Sequence, residues 1–229
     1  MAAIKYRGRS YWVYRQLIEE YLPESERGIV TPPISLQTLD EYDAEQYLQY
    51  EKRRLTNLCG QFCVVRCANL AGYPDSVLQF LEKWSVKDPK YYRIIVPPNR
   101  PTGVDALQSM CSVYGLENAP LEKGLFDPVL KRAIYSPGRI QAKLADGWRL
   151  IAGTVIGLDG KLIATGTIGH WVLLEDIRPV RNGDGFVKIY NSYPNRMQEY
   201  SYNEFMASMR RMGMNGLWVK VGKNGAAEK

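Results

Sequence analysis

Three residues of the chain, Cys59, His170 and Asn191, could together carry out nucleophilic chemistry. A cysteine thiolate is a nucleophile, and a histidine beside it can take up and return its proton. An asparagine amide can hold the imidazole in one tautomer and one orientation. His170 is the chain's one histidine, so this scheme has a single possible imidazole base. The predicted helices and strands must therefore bring three distant positions together.

Cys59 stands in the first turn of a helix that we predict between Asn57 and Gly72. The residues between these ends are almost all apolar, which predicts a helix covered on most sides. Asn57 is the predicted N-cap, and Gly72 is where the backbone should enter the left-handed region. The positive end of the helix dipole would favour a thiolate at Cys59. The alternative is that Cys59 only fills space in the core, as most unpaired cysteines do.

His170 lies in a predicted strand, Thr167 to Ile177, and Asn191 lies near the end of the next one, Phe186 to Tyr193. An Asn-Gly-Asp-Gly turn between the two strands predicts antiparallel neighbours, which could put Asn191 beside His170. The alternatives are a core histidine with satisfied hydrogen bonds and an asparagine that only terminates its strand.

Acyl transfer at a cysteine also needs hydrogen-bond donors for the oxyanion of the tetrahedral intermediate. The backbone N–H of Cys59 is one candidate donor, and the side chain of Asn57 is a tentative second. Asn57 is also the predicted helix cap, and the sequence leaves both roles open.

Composition limits the class of partner. The chain has 229 residues, of which 45% are hydrophobic and 24% charged, as in an ordinary globular domain. Its net charge of +6 is scattered rather than gathered on a basic face with aromatics, so we expect no nucleic-acid binding. No apolar run reaches the roughly 20 residues that span a bilayer, and Met1 to Arg9 lack the apolar core of a signal peptide. We therefore expect no membrane segment and a cytoplasmic location, with signal-independent export left open.

The four cysteines predict neither disulfides nor a metal centre. Cys59, Cys63 and Cys67 follow one helix face at i, i+4 and i+8, a stripe that fits a reducing compartment, and Cys111 is distant. Structural zinc sites usually pair a Cys-x-x-Cys motif with a second, distant pair, which this sequence lacks. Phosphate-loop, dinucleotide-binding, zinc-protease and serine-elbow motifs are also absent, so we expect no metal and no cofactor.

Predicted helices come first along the chain and predicted strands second. After the Cys59 helix we expect helices at Asp75–Trp84, Val104–Tyr114 and Arg139–Ala145, strands at Trp148–Gly157, Thr167–Ile177 and Phe186–Tyr193, a helix at Glu204–Met212 behind a Ser201 capping box, and a strand at Leu217–Val221. This order predicts an α+β domain in which a helical half packs on a twisted antiparallel sheet. We assign residues 51–221 to this domain, residues 1–50 to an N-terminal helical appendage of unknown role, with helices at Tyr11–Leu22 and from Ser35 to about Tyr50, and residues 222–229 to a disordered tail.

Short motifs in this domain carry a family resemblance through their order and spacing. They are Cys59-Gly60, Asn69-Leu70-Ala71-Gly72-Tyr73, Tyr114-Gly115-Leu116, Gly169-His170-Trp171-Val172-Leu173, Ile189-Tyr190-Asn191 and the aromatic helix from Tyr202 to Phe205. Together they resemble the C39-like branch of the papain-like cysteine peptidases, which includes the bacteriocin leader-processing peptidases.

The resemblance implies a papain-like fold and a cysteine peptidase that acts on a peptide or protein substrate. By position, Cys59 would be the nucleophile, His170 the base and Asn191 the orienting residue. The chain departs from the family in three ways: Asn191-Ser192 replaces Asp-Pro, Arg53 and Arg54 occupy the neighbourhood of the oxyanion glutamine, and no transporter segment follows. The alternatives are a catalytically silent papain-like module that binds a peptide or partner, and a deamidase or transamidase with the same triad.

Overall fold

The computed structural model describes residues 57–95, 101–122, 136–157, 160–166, 168–179, 185–193 and 196–222, together with the backbones of four short strands at 2–6, 9–13, 126–127 and 132–133. Six helices lie in these parts of the chain: α1 Cys59–Leu70, α2 Val77–Lys87, α3 Pro89–Ile95, α4 Val104–Ser112, α5 Pro137–Ala145 and α6 Tyr202–Arg211. The strands are β1 Ala2–Tyr6, β2 Arg9–Val13, β3 Asn118–Pro120, β4 Phe126–Asp127, β5 Arg132–Ala133, β6 Trp148–Ile156, β7 Ile168–Pro179, β8 Gly185–Asn191, β9 Arg196–Ser201 and β10 Gly216–Lys220.

The main sheet has six strands in the order β3-β10-β6-β7-β8-β9, and every neighbouring pair is antiparallel. β1 pairs with β2, and β4 pairs with β5, in two separate two-stranded sheets. The prediction of an α+β fold with an antiparallel sheet is therefore confirmed.

Helices cover both faces of the main sheet, whereas the sequence predicted a helical half on one side. Strand residues alternate between the two faces. Ile151, Leu173 and Leu217 pack with α1, α2 and α4 in one core. Leu150 and Leu174 pack in the other, with α5 and α6. The helices that precede the sheet in the chain supply one layer, and α5 and α6 supply the opposite one.

Most predicted elements are confirmed with boundaries shifted by a few residues. One helix, α3, and five strands, β1, β3, β4, β5 and β9, were missed. Asp88 and Pro89 signalled α3, because proline fits the first helical position and the Asp88 Oδ1 accepts from the backbone N–H of Tyr91 at 3.2 Å. β9 was missed because most of its residues, Arg196 to Ser201, are polar and do not favour strands. They form a strand because they pair with β8.

The predicted helix at Tyr11–Leu22 is wrong at its start, because Arg9–Val13 forms β2. Aromatic and β-branched residues favour strands, and a short apolar run cannot be assigned to helix or strand by periodicity alone. The remainder of that prediction, the predicted helix from Ser35 to Tyr50 and residues 223–229 of the predicted tail lie outside the described residues.

The Ser201 capping box is confirmed, and it provides a test of local stability. The Ser201 Oγ accepts from the backbone N–H of Glu204 at 3.2 Å, and the Glu204 carboxylate accepts from the backbone N–H of Ser201 at 2.9 Å. We expect Ser201→Ala to lower the free energy of unfolding by about 1 kcal/mol in urea titrations.

Ser136 provides the matched control, because it is the N-cap of α5 but its side chain makes no capping hydrogen bond. Ser136→Ala should therefore change stability by less than about 0.5 kcal/mol. Equal losses in the two variants would contradict the assignment of the Ser201 effect to the capping bond.

Within the described residues, no helix combines the length and the apolar character needed to cross a membrane.

Candidate active site

Cys59 is the first residue of α1, but the helix starts differently from the prediction. Leu58, with φ −81° and ψ 1°, takes the N-cap position. Asn57 adopts φ +66°, a left-handed conformation that asparagine tolerates better than most residues. The prediction that Asn57 is the N-cap is therefore wrong, since Leu58 takes that position and the chain turns sharply one residue earlier, at Asn57. The oxyanion role of Asn57 stays a prediction.

The first turn of α1 is packed tightly against the segment that precedes α4. A Cβ atom on Gly60 would lie 2.9 Å from the Thr102 Cγ2 and 3.1 Å from the Leu107 Cδ2. Glycine after the cysteine thus allows α1 to approach Thr102 closely. Gly72 has φ +93°, as predicted, one residue beyond the C-cap Ala71.

The cysteine stripe is buried, and its members differ in access to solvent. Cys59 is 7% exposed, whereas Cys63, Cys67 and Cys111 are fully buried. None of the four forms a disulfide bond. Burial raises the pKa of the Cys67 thiol well above its usual range and that of Cys111 to about 12. Cys67 and Cys111 are therefore packing residues with unreactive thiols.

His170 lies near the start of β7, where β6 is its paired neighbour. Its backbone carbonyl accepts a hydrogen bond from the Thr154 Oγ1 at 3.1 Å. Its side chain is only 6% exposed, and its Nε2 lies 2.8 Å from the Oδ1 of Asn191. Asn191 is the last residue of β8 and is fully buried. The prediction that Asn191 lies beside His170 is confirmed.

Backbone groups determine which atom of the Asn191 amide faces His170. The Asn191 Oδ1 accepts from the backbone N–H of Tyr193 at 3.0 Å, and its Nδ2 donates to the carbonyl oxygen of Gly160 at 2.8 Å. A backbone N–H can only donate and a carbonyl can only accept, so the amide has one consistent orientation. The His170 Nε2 must then carry a proton and donate it to Oδ1, which leaves the lone pair of the neutral ring on Nδ1.

Burial lowers the pKa of His170 to about 4, and the hydrogen bond with Asn191 opposes this shift. The apolar surroundings disfavour the imidazolium because they replace its hydration. Above about pH 4 the ring is therefore neutral, with Nδ1 as its proton acceptor.

Cys59 and His170 line the same groove, which has a volume of about 800 Å³. Asn57 lines it as well. Asn191 does not line the groove, and it contacts His170 through the hydrogen bond at Nε2. The remaining walls come from the start of α4 and the residues before it, from the end of β3, from β6, from the start of β7, and from the turn between α6 and β10 with the first residue of β10. They are Pro101, Thr102, Gly103, Val104, Asp105, Pro120, Leu121, Gly153, Ile168, Gly169, Trp171, Met212, Met214, Asn215 and Gly216.

Two contacts hold the walls of the groove together. The Trp171 Nε1 donates to the carbonyl oxygen of Thr102 at 2.9 Å, which ties β7 to the segment before α4. The backbone N–H of Gly153 donates to the carbonyl oxygen of Asn215 at 2.9 Å, which ties β6 to the turn after α6. In that turn Met214 has φ +56°, an uncommon conformation for methionine.

Sequence reasoning missed the residues that shape the groove around the predicted set. Thr102 had no special signal, and Trp171 was noted only as part of the motif around His170. Their contact could not be predicted, because it joins positions far apart in the chain. Gln198, which accepts a hydrogen bond from the Asn191 Nδ2 at 3.0 Å, was missed together with β9. Within the described residues, no cluster of His, Cys, Asp and Glu could hold a metal ion.

Neither a protein-family model, nor a curated protein, nor a solved structure matches this chain. The resemblance to C39-like peptidases therefore rests on the sequence motifs alone. The function must be argued from the groove and its residues.

Proposed function

We propose that this chain is a cysteine peptidase with a papain-like fold, which cleaves a peptide bond through Cys59, His170 and Asn191. The observation that carries the proposal is the shared groove: the cysteine at the start of α1 and the chain's one histidine both line it. The hydrogen bond from His170 to Asn191, made behind the groove, supplies the third member of the set.

In the proposed first step, the Cys59 sulfur attacks the carbonyl carbon of the substrate while its proton passes to the Nδ1 of His170. The attack forms a tetrahedral oxyanion. Collapse of this intermediate breaks the C–N bond, and the imidazolium gives its proton to the leaving amine. The products of this step are a free amine and a thioester on Cys59.

In the second step, His170 takes a proton from a water molecule, and the resulting hydroxide attacks the thioester carbonyl. The C–S bond then breaks, the acid product leaves, and the proton returns to the sulfur. Transamidation would follow the same path with an amine in place of water.

Two features of the site support this chemistry. The neutral His170 ring presents Nδ1 as a base, because Asn191 engages Nε2. Helix dipoles favour negative charge at their N-termini, and Cys59 is the first residue of α1. In this proposal the backbone N–H of Cys59 donates to the oxyanion.

The groove fits a peptide segment better than a small polar metabolite. Its volume of about 800 Å³ lies in the upper range of ligand pockets. Several of its lining residues are apolar, including Ile168, Met212 and Met214, and few charged side chains line it. An extended peptide could bury apolar side chains there while its backbone meets the exposed edges of the groove.

A binding module is the second candidate, and low exposure favours it. Cys59 and His170 are 7% and 6% exposed, so their reacting atoms have little contact with solvent. In a binding module, Cys59 would react no faster than an ordinary cysteine, whose thiol pKa is near 8.5, and burial would slow it further.

Alkylation by iodoacetamide separates the two candidates. The rate at each cysteine is measured against pH by mass spectrometry in the wild type and in His170→Gln, which keeps a donor for Asn191 but removes the base. For a peptidase we expect Cys59 to react at least tenfold faster at pH 6 in the wild type than in the variant, because the neutral His170 ring takes up the thiol proton as the sulfur attacks.

The other three cysteines act as internal controls, because their full burial predicts slow labelling at every pH. Labelling of Cys59 that rises around pH 8.5 in both proteins would contradict the peptidase proposal. Labelling of Cys63 ahead of Cys59 would contradict the assignment of the nucleophile.

A further inference from the structure

A chain of hydrogen bonds runs from Asn191 across β9 to the segment that connects β6 with β7. The Asn191 Nδ2 donates to the Gln198 Oε1 at 3.0 Å, and the Tyr200 hydroxyl donates to the same oxygen at 3.1 Å. The backbone N–H of Leu162 donates to the Tyr200 hydroxyl at 3.2 Å. This series of hydrogen bonds therefore links Asn191, which contacts His170, to the backbone at Leu162, between the central strands β6 and β7.

The direction of every bond in this chain is determined. The Asn191 Nδ2 can only donate, so the Gln198 side chain presents its oxygen to it. The Tyr200 hydroxyl must then direct its proton to that oxygen, and it accepts from the N–H of Leu162, which can only donate. That arrangement agrees with the amide orientation that Gly160 and Tyr193 impose on Asn191.

The register of the sheet places these side chains on one face. Gln198 pairs with Ile189 and Tyr200 with Val187, so both share the face of β8 that carries Asn191. Gln198 is diagonal to Asn191 and close enough for a long amide side chain to reach it. An apolar residue at position 198 would preserve the strand pairing but leave a buried N–H of Asn191 without its acceptor.

We propose that Gln198 is a positioning residue for His170, acting through Asn191, and that Tyr200 holds Gln198 in place from the 160–162 segment. Gln198 does not touch the groove, so its effect is on the orientation and tautomer of the imidazole rather than on substrate contact. The inference rests on the proposed function for its catalytic meaning, whereas the positioning of His170 is testable without a substrate.

The test uses the ring signals of His170, which are unambiguous because the chain has one histidine. Nitrogen-15 NMR of the full chain at pH 7 should show a proton on Nε2 in the wild type. In Gln198→Leu we expect a fraction of the Nδ1-protonated tautomer or a broadened Nε2–H signal. Cys59 alkylation at pH 6 should also slow by about tenfold.

Gln198→Glu is the rescue variant, because its carboxylate retains acceptors for both donors, and it should keep the wild-type tautomer. Glu199→Leu is the matched control on the same strand: its side chain points to the other face and contacts Arg178, so it should leave the His170 signals unchanged. Tyr200→Phe removes one link and should give a smaller change in the same direction as Gln198→Leu. It also serves as the test if Gln198→Leu does not fold.

Ring signals that match the wild type in a folded Gln198→Leu or Tyr200→Phe variant would overturn the positioning role. The positioning role would also be overturned if Glu199→Leu changed the His170 ring signals as much as Gln198→Leu does, because any substitution on β9 would then produce the effect. Equal Cys59 alkylation rates in the wild type and in His170→Gln would instead overturn the proposed function, while the ring signals would still decide the role of Gln198.

Discussion

Replacing Cys59 by alanine is expected to abolish peptide hydrolysis, with a loss on the order of 10⁴-fold or more. The variant lacks the atom that forms the thioester, so neither step of the proposed reaction can occur. The fold should be nearly unaffected, because only one sulfur is removed from a side chain that borders the groove. Cleavage of a proteome-derived peptide library, read by mass spectrometry, measures the activity, and urea titration measures the stability.

Cys63→Ala is the matched control, since the same substitution one turn further along α1 removes a fully buried sulfur. We expect this variant to keep its activity and to lose about 1–2 kcal/mol of stability through a packing defect. Loss of activity in Cys63→Ala, together with retained activity in Cys59→Ala, would refute the assignment of the nucleophile.

Lowering the pH from 7 to 4 is expected to remove about 3 kcal/mol of folding free energy through His170 alone. Burial lowers the pKa of His170 from 6.5 to about 4 in the folded chain. Between these two values the unfolded chain binds a proton at His170 that the folded chain does not, so protonation favours unfolding. The stabilisation is complete above pH 6.5 and is lost as the pH falls toward 4.

Urea titrations of the wild type and of His170→Gln at several pH values between 4 and 7 measure this contribution. The glutamine cannot take up a proton in this range, so the difference in stability between the two proteins should change by about 3 kcal/mol. Other acid-sensitive groups, such as Asp75 in its ion pair with Lys83, act equally in both proteins and cancel. A difference that stays constant with pH would show that His170 has its ordinary pKa when folded.

The sequence predicted those helices and strands whose formation depends on residues close to one another along the chain. Ser201 and Glu204 predict the start of α6, because each satisfies a backbone N–H of the same turn. The continuous apolar run after Cys59 predicts α1, because such a run is typical of a helix that is covered on most sides. β9 could not be predicted, because its polar residues become a strand only through pairing with β8.

The start of α1 marks the limit of such signals within the candidate site. Asparagine is a favoured N-cap, so Asn57 was assigned to that position. In the folded chain the first turn packs against Thr102, and Asn57 takes up the left-handed bend that leads into it. The contact between the first turn of α1 and Thr102, more than 40 residues away along the chain, therefore outweighs the preference of asparagine for the N-cap position.

Residue types and their order along the chain established the chemical inventory: one histidine, three cysteines on a helix face, an asparagine at a strand end and an order of elements that predicts an α+β fold. The folded structure was needed to show that Cys59, rather than Cys63 or Cys67, borders the groove, and that His170 is neutral with its lone pair on Nδ1. Residue types and local spacing are properties of the chain, whereas burial and hydrogen-bond partners depend on segments such as Gly160, Asn191 and Gln198 that meet only when the sheet is formed.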